Sequence, residues 1–162
     1  MVQNNIIDEE SFIVRIKNLN KREVFFWASL GFYILSLTQI AFYASDNSGT
    51  DKWDGIWVLA IGWMGVFDGL NKGLIWLANP LYFVSLFLYN FKNKITFIVA
   101  IFIILLALWF TQIHQINVSE GPVTNKIIKL SLGYYLWLTS FIILATGSGI
   151  EFFKMTNKNK FK

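Results

Sequence analysis

Seven residues in the middle of the chain have side chains or backbone properties that suit a binding site. Six of them fall between residues 68 and 80, and the seventh is the one histidine of the sequence: Asp68, Asn71, Lys72, Trp76, Asn79, Pro80 and His114. Asp68 and Lys72 are four residues apart, a spacing at which two side chains can pair on a helix. Two interpretations fit this stretch. It is a turn at the membrane surface with Trp76 in the interface, or a re-entrant element whose polar tip binds a ligand or a headgroup.

The Asn79-Pro80 pair interrupts an apolar run, IWLANP. Proline lacks an N–H and clashes with the carbonyl group four residues earlier, so it breaks or kinks a helix. In lipid an unsatisfied backbone group costs several kcal/mol, which means that such a break should face protein or water. The side chain of Asn79 can hydrogen-bond to the opened backbone. The sequence therefore predicts a kink at this pair and a candidate site beside it.

Several kinds of chemistry are not indicated. The chain has one histidine and no cysteine, so we predict no metal site. It contains none of the phosphate-loop, dinucleotide, zinc-protease or nucleophile-elbow motifs, and we predict no catalytic residue and no cofactor. The net charge of +4 comes from basic residues that flank apolar runs, which argues against nucleic acid as a partner.

The composition favours lipid as the surrounding medium. Hydrophobic residues make up 55% of the chain and charged residues 15%, against about a quarter charged in ordinary soluble domains. We predict a single-domain, all-α integral membrane protein: a multipass four-helix bundle with an N-terminal amphipathic helix and a short re-entrant or interfacial helix before the second span. The predicted boundaries are an amphipathic segment at 1–23, spans at 24–44, 74–91, 95–113 and 127–150, a short helix at 55–67 and a basic tail at 151–162.

The distribution of basic residues predicts the orientation. With four crossings, ten of the 14 basic residues share a side with both termini, and the other side keeps Lys52, Lys72, Lys126 and Lys129. Five crossings would divide them equally. Because cytoplasmic loops carry an excess of Lys and Arg, we predict a bacterial cytoplasmic membrane protein with both termini in the cytoplasm.

Small and hydroxyl residues recur at steps of three or four within the predicted spans. Such residues let helices approach closely, so they predict the packing faces. Seven residues mark these faces: Ser29, Ser36, Ala100, Ala107, Gly133, Ser140 and Gly147. No acidic or basic residue lies deep in a span, which counts against an ion or proton pump.

Three segments carry a resemblance to a known group of proteins. IGWMG (residues 61–65), WLANP (residues 76–80) and GYYLWLTS (residues 133–140) resemble a family of small uncharacterised bacterial multipass membrane proteins with a W-x-A-N-P and a G-Y-Y-L-W-L-x-S segment. The resemblance covers the middle and last predicted helices. It implies bacterial origin and architecture but no chemistry.

Three classes of function fit these observations. The first is an accessory or binding protein that acts through a membrane partner, for example an immunity protein that blocks a toxin. The second is a small oligomeric transporter or channel that uses the Asn79-Pro80 break, and the third is a lipid-modifying enzyme acting through Asp68, Lys72 or His114. We predict the first, because the chain is small and shows neither a catalytic constellation nor a buried charge. The predicted partners are the lipid bilayer and a membrane protein or further copies of the chain.

Overall fold

A computed structural model describes residues 21–46, 49–67, 69–91, 93–117 and 124–160. The helices and strands follow in this order: α1 (Lys21–Leu37), β1 (Ile40–Asp46), β2 (Gly49–Asp54), α2 (Gly55–Ile61), a 3₁₀ helix (Gly62–Val66), α3 (Leu70–Trp76), α4 (Ala78–Leu88), α5 (Asn93–Phe110), β3 (Gln115–Asn117), β4 (Thr124–Leu130) and α6 (Leu132–Lys160). Most of the predicted amphipathic segment, residues 1–20, lies outside the described residues.

The predicted fold class, an all-α multipass bundle of four transmembrane helices, is wrong. Among the described residues only one helix is long and apolar enough to cross a membrane, over Leu132–Asn157. The other apolar helices, Gly55–Val66, Lys72–Leu88 and Lys94–Phe110, are shorter. In addition, β1 to β4 form a four-stranded antiparallel sheet. The architecture is therefore a group of helices combined with an antiparallel sheet.

Two of the predicted membrane spans are partly strand in the structure, and the reason lies in the residue types of these segments. Residues 40–44 of the first predicted span belong to β1, and residues 127–130 of the last belong to β4. Both strands are rich in β-branched or aromatic residues, which favour extended backbone. In β1 the burial alternates, since Phe42 and Ala44 are buried while their neighbours are half-buried. Hydropathy alone does not separate a short apolar strand from a helical segment.

The sheet lies at one end of the longer helices. Its strand order is β2-β1-β4-β3. In β1, one of the two inner strands, Tyr43 pairs with Lys52 of β2 on one side and with Lys129 of β4 on the other. Strand β1 follows α1, β3 follows α5 and β4 leads into α6, so these connections fix the sheet against the helix ends. Phe42 of β1 packs against Phe110 of α5, with ring centroids 5.7 Å apart.

The core lies between α1, α4, α5 and α6. Its fully buried side chains include Tyr33, Tyr82, Ile103, Phe141 and Leu144. The structure also buries all seven residues that mark the predicted packing faces. Gly133 packs directly against backbone, since an added Cβ would lie 2.8 Å from the carbonyl oxygens of Gln39 and Ile40.

A helical hairpin precedes α4 and occupies the region predicted as a short interfacial helix. Its first leg is α2 with the 3₁₀ helix, its second leg is α3, and the chain reverses near Gly69, whose φ of 139° favours glycine. Glycines let the legs touch. A Cβ on Gly62 would lie 2.6 Å from Cδ1 of Trp76, and one on Gly73 would collide with Val66.

Candidate functional site

A cavity of about 530 Å³ lies between the sheet, the helical hairpin and the longer helices. Its walls include residues from all three parts of the structure: Phe42, Trp53, Val58, Trp76, Asn79 and Trp137. Aromatic and aliphatic side chains form most of the lining. A cavity of this size, mainly apolar with a few polar groups, is typical of a small-molecule site.

Asn79 joins three helices and the end of the hairpin at the wall of this cavity. Its Oδ1 accepts hydrogen bonds from Tyr33 Oη at 3.0 Å and from Trp137 Nε1 at 2.9 Å. Its Nδ2 donates to the carbonyl oxygen of Trp76 at 3.2 Å. Pro80 has no N–H to offer to that oxygen, which lies four residues earlier. The helix divides here: α3 ends at Trp76 and α4 begins at Ala78. The side chain of Asn79 therefore supplies the hydrogen bond that Pro80 cannot donate.

A second polar layer lies beside Asn79. The rings of Tyr33 and Tyr82 stack with centroids 4.5 Å apart. Ser29 Oγ donates to the carbonyl oxygen of Ser140 at 2.8 Å, so the 2.9 Å contact between Ser29 and Tyr82 must have the phenol as donor. Tyr33 Oη in turn donates to Asn79, so both phenols act as hydrogen-bond donors.

Most polar side chains that line the cavity already have partners within the protein. Trp76 Nε1 donates to the carbonyl oxygen of Leu59 at 3.0 Å, and Tyr134 Oη donates to that of Ala107 at 2.9 Å. Trp53 differs. Its Nε1 is buried and has no hydrogen-bond partner among the described residues.

The structure brings together three of the seven residues predicted as a site. Lys72, Trp76 and Asn79 line the cavity. Pro80 is half-buried in the first turn of α4 and does not line it. His114 is exposed, outside the lining, with its Nδ1 2.8 Å from the carbonyl oxygen of Gln112.

The side chains of the other two predicted site residues lie outside the described structure. Asp68 lies outside the described residues, and Asn71 belongs to α3 while its side chain lies outside them. Sequence reasoning missed Trp53 and Phe42, whose rings stack with centroids 6.1 Å apart. Phe42 lies on β1 and Trp53 on β2, and the two residues pair in the sheet, so they could be identified only by recognising these segments as strands.

The chemistry of the lining fits the binding of a mainly apolar molecule. Within the described part of the chain no group of three His, Cys, Asp or Glu residues lies close enough to hold a metal ion. Lys72 is the only formally charged side chain among the lining residues that are described. Aromatic walls with a few N–H and O–H donors can hold an apolar body and orient one polar group.

Comparison with protein families, with curated proteins and with solved structures gives no match for this chain. The resemblance carried by residues 61–65, 76–80 and 133–140 therefore stays a prediction. Function is inferred from the geometry of the site.

Proposed function

We propose that this protein is a membrane accessory protein that binds a mainly apolar small molecule in the cavity between the sheet and the helical hairpin. The observation that carries the proposal is the cavity itself, about 530 Å³ in volume and walled by aromatic and aliphatic side chains. Burial of apolar ligand surface supplies about 25 cal/mol per Å². A ligand that fills such a space would gain most of its affinity in this way.

The outer surface supports a membrane as the source of the ligand. Phe67 is 82% exposed, Leu70 75% and Phe87 74%. Large apolar surfaces of this kind mark contact with lipid or with another protein. Met64 and Phe67 line the cavity and are also exposed at the surface, so a ligand dissolved in the bilayer can enter there. Location in the bacterial cytoplasmic membrane is part of this proposal.

A membrane protein partner, or a second copy of the chain, is the second candidate. Trp57 and Trp63 of the hairpin are 59% and 48% exposed, and aromatic residues are enriched at protein interfaces. The described residues add no observation in favour of transport or of lipid chemistry.

The experiment fills the cavity with a larger side chain and identifies the small molecules that stay bound to the protein. Val58→Phe adds volume at a half-buried lining position, while Val84→Phe makes the same change at a position that is 50% exposed on α4. Each protein is extracted into lipid nanodiscs and weighed by native mass spectrometry, followed by identification of bound small molecules. We expect a stoichiometric lipophile on the wild type and on Val84→Phe, and its loss on Val58→Phe.

Two other results would be informative. A wild-type protein that carries only bulk lipids, in the proportions of its membrane, would contradict the binding function. A stoichiometric protein partner that remains bound to Val58→Phe would favour the second candidate.

A further inference from the structure

We infer that the ligand is an anionic amphiphile, and that Lys72 at the opening of the cavity binds its acidic headgroup while the alkyl chain fills the space inside. The inference rests on the proposed binding function and names the chemical class of the ligand. Three properties of the lining carry it: the position of its charge, the hydrogen bonds of its interior polar groups, and the sign of its charge.

Lys72 lies beside the opening of the cavity. The base of its side chain packs on the 3₁₀ helix, since a Cβ added at Gly65 would lie 3.3 Å from Lys72 Cβ. Close to Gly65 in sequence are Met64 and Phe67, which line the cavity and are exposed at the surface. Lys72 itself is half-buried and lines the cavity. A lysine keeps its ammonium toward water while its stem covers apolar surface, so the positive charge belongs at this opening.

The interior of the cavity offers little to a polar headgroup. Trp76 Nε1 and Tyr134 Oη donate to backbone carbonyl oxygens. Asn79 Oδ1 accepts from Tyr33 and Trp137. These groups are occupied within the protein, and the walls around them are mainly aromatic and aliphatic. Because a buried polar group without a partner costs free energy, the polar end of a ligand is more stable at the opening than inside.

The sign of the charge selects an acidic headgroup. Lys72 is the one formally charged side chain among the lining residues that are described, so no Asp or Glu is among them. A ligand that covers Lys72 takes water away from its ammonium, and burying a charge costs free energy unless an opposite charge accompanies it. Lys72 also interacts within the protein, but an ammonium has three N–H donors, so an acidic headgroup can bind in addition.

The experiment compares three probes that share a dodecyl chain. Dodecanesulfonate, dodecanol and dodecyltrimethylammonium carry a negative, a neutral and a positive headgroup. Binding of each is measured by equilibrium partitioning into phosphatidylcholine nanodiscs that hold the protein, with empty nanodiscs as the baseline. Hydrogen bonds between charged groups are stronger than neutral ones, so the wild type should bind the sulfonate about tenfold more tightly than the alcohol. It should bind the trimethylammonium most weakly.

Variants of Lys72 assign the effect to its charge. Lys72→Gln removes the charge and should bring the sulfonate and the alcohol to equal affinity. Lys72→Glu reverses the charge, so it should favour the trimethylammonium over the sulfonate, an inversion that a merely structural role would not produce. Lys52→Gln makes the matched change at an exposed lysine outside the lining and should keep the preference of the wild type.

A second comparison identifies the source of the headgroup. An acidic membrane lipid and a free fatty acid present the same chemistry, an anionic group on an alkyl chain. Phosphatidylglycerol added to the nanodiscs should compete with dodecanesulfonate for the cavity if the ligand is a membrane lipid. Binding that stays the same, after correction for empty nanodiscs of the same composition, would identify a free acid.

The outcomes separate this inference from the function on which it rests. Equal binding of the sulfonate and the alcohol by the wild type, abolished by Val58→Phe, would overturn the inference and leave the binding function standing. That result does not require any variant of Lys72 to fold. A sulfonate preference that survives in Lys72→Gln would overturn the assignment to Lys72. Failure of all three probes to bind the wild type would overturn the function and the inference together.

Discussion

Asn79 donates a hydrogen bond from its side-chain amide to the carbonyl oxygen of Trp76, 3.2 Å away. That oxygen is the acceptor that a residue at position 80 would use in a continuous helix, and Pro80 cannot use it. The same amide oxygen binds Tyr33 and Trp137. The side chain of Asn79 thus replaces the hydrogen bond lost at Pro80 and holds together the helices that form the wall of the cavity.

Asn79→Leu should be strongly destabilising. It removes the acceptor of two donors, Tyr33 Oη and Trp137 Nε1, and the donor to Trp76. Each buried group left without a partner costs about 1–3 kcal/mol, so we expect a loss of roughly 3 kcal/mol or more in the free energy of unfolding. Denaturant unfolding in detergent micelles measures it.

Two variants calibrate that loss. Tyr33→Phe removes one of the three hydrogen bonds and should cost about 1 kcal/mol. Tyr135→Phe changes a tyrosine that is 55% exposed and should cost close to nothing. If Asn79→Leu were no worse than Tyr33→Phe, the assignment of Asn79 as the joint of these helices would be wrong.

Gly133→Ala and Gly31→Ala should have opposite effects. A Cβ at Gly133 would lie 2.8 Å from the backbone oxygens of Gln39 and Ile40, just before and at the start of β1, whereas nothing lies within 4 Å of a Cβ at Gly31. The first change should cost about 1–3 kcal/mol through overpacking. The second should gain about 0.5–1 kcal/mol, because alanine favours the helix. Thermal unfolding of both proteins in one detergent tests the sign, and a neutral Gly133→Ala would show that α6 and β1 are farther apart.

The residues that mark the predicted packing faces are buried in the structure, although the predicted fold is wrong. Residues such as Ser29, Ala107 and Ser140 recur at helical spacing, and the structure buries them. This pattern reports close helix contact and does not depend on whether the helix crosses a membrane. The sequence also indicates that Asn79 can hydrogen-bond to the broken helix, because the loss of a backbone hydrogen bond at a proline can be inferred from sequence.

The sheet was not predicted, because its strands join directly onto helices. Ile40 comes only three residues after the end of α1 at Leu37, and Leu132 begins α6 two residues after the end of β4 at Leu130. A hydropathy window averages over such short connections and reads helix and strand as one span. The pairing of β1 with β4 joins residues far apart in sequence, and no local pattern specifies that contact.

The sequence points to only some of the residues that line the cavity, for the same reason. Lys72, Trp76 and Asn79 lie on one side of the cavity and are close in sequence. Trp53 lies on β2, so its place at the cavity depends on the hairpin of β1 and β2 and on the long-range pairing of β1 with β4.

NMR chemical shifts should show that residues 40–46 are extended. The sequence pattern predicted a helix through residue 44, whereas the structure places these residues in β1. We expect strand-type Cα and Cβ shifts there, helix-type shifts over Asn93–Phe110, and cross-strand nuclear Overhauser effects between Tyr43 and Lys129. Helical shifts over 40–44 would restore a continuous first span and remove the sheet wall of the cavity.

A fluorophore at position 87 should sense lipid. Phe87 is 74% exposed on α4, and a surface of this kind is unfavourable in water. Because the chain has no cysteine, Phe87→Cys and Lys52→Cys each carry a single thiol for labelling. In nanodiscs made with doxyl-labelled lipids we expect strong quenching at position 87 and weak quenching at position 52, since Lys52 is exposed on the edge strand β2. Equal weak quenching at both positions would contradict the membrane location and would leave the exposed apolar surface to a protein partner.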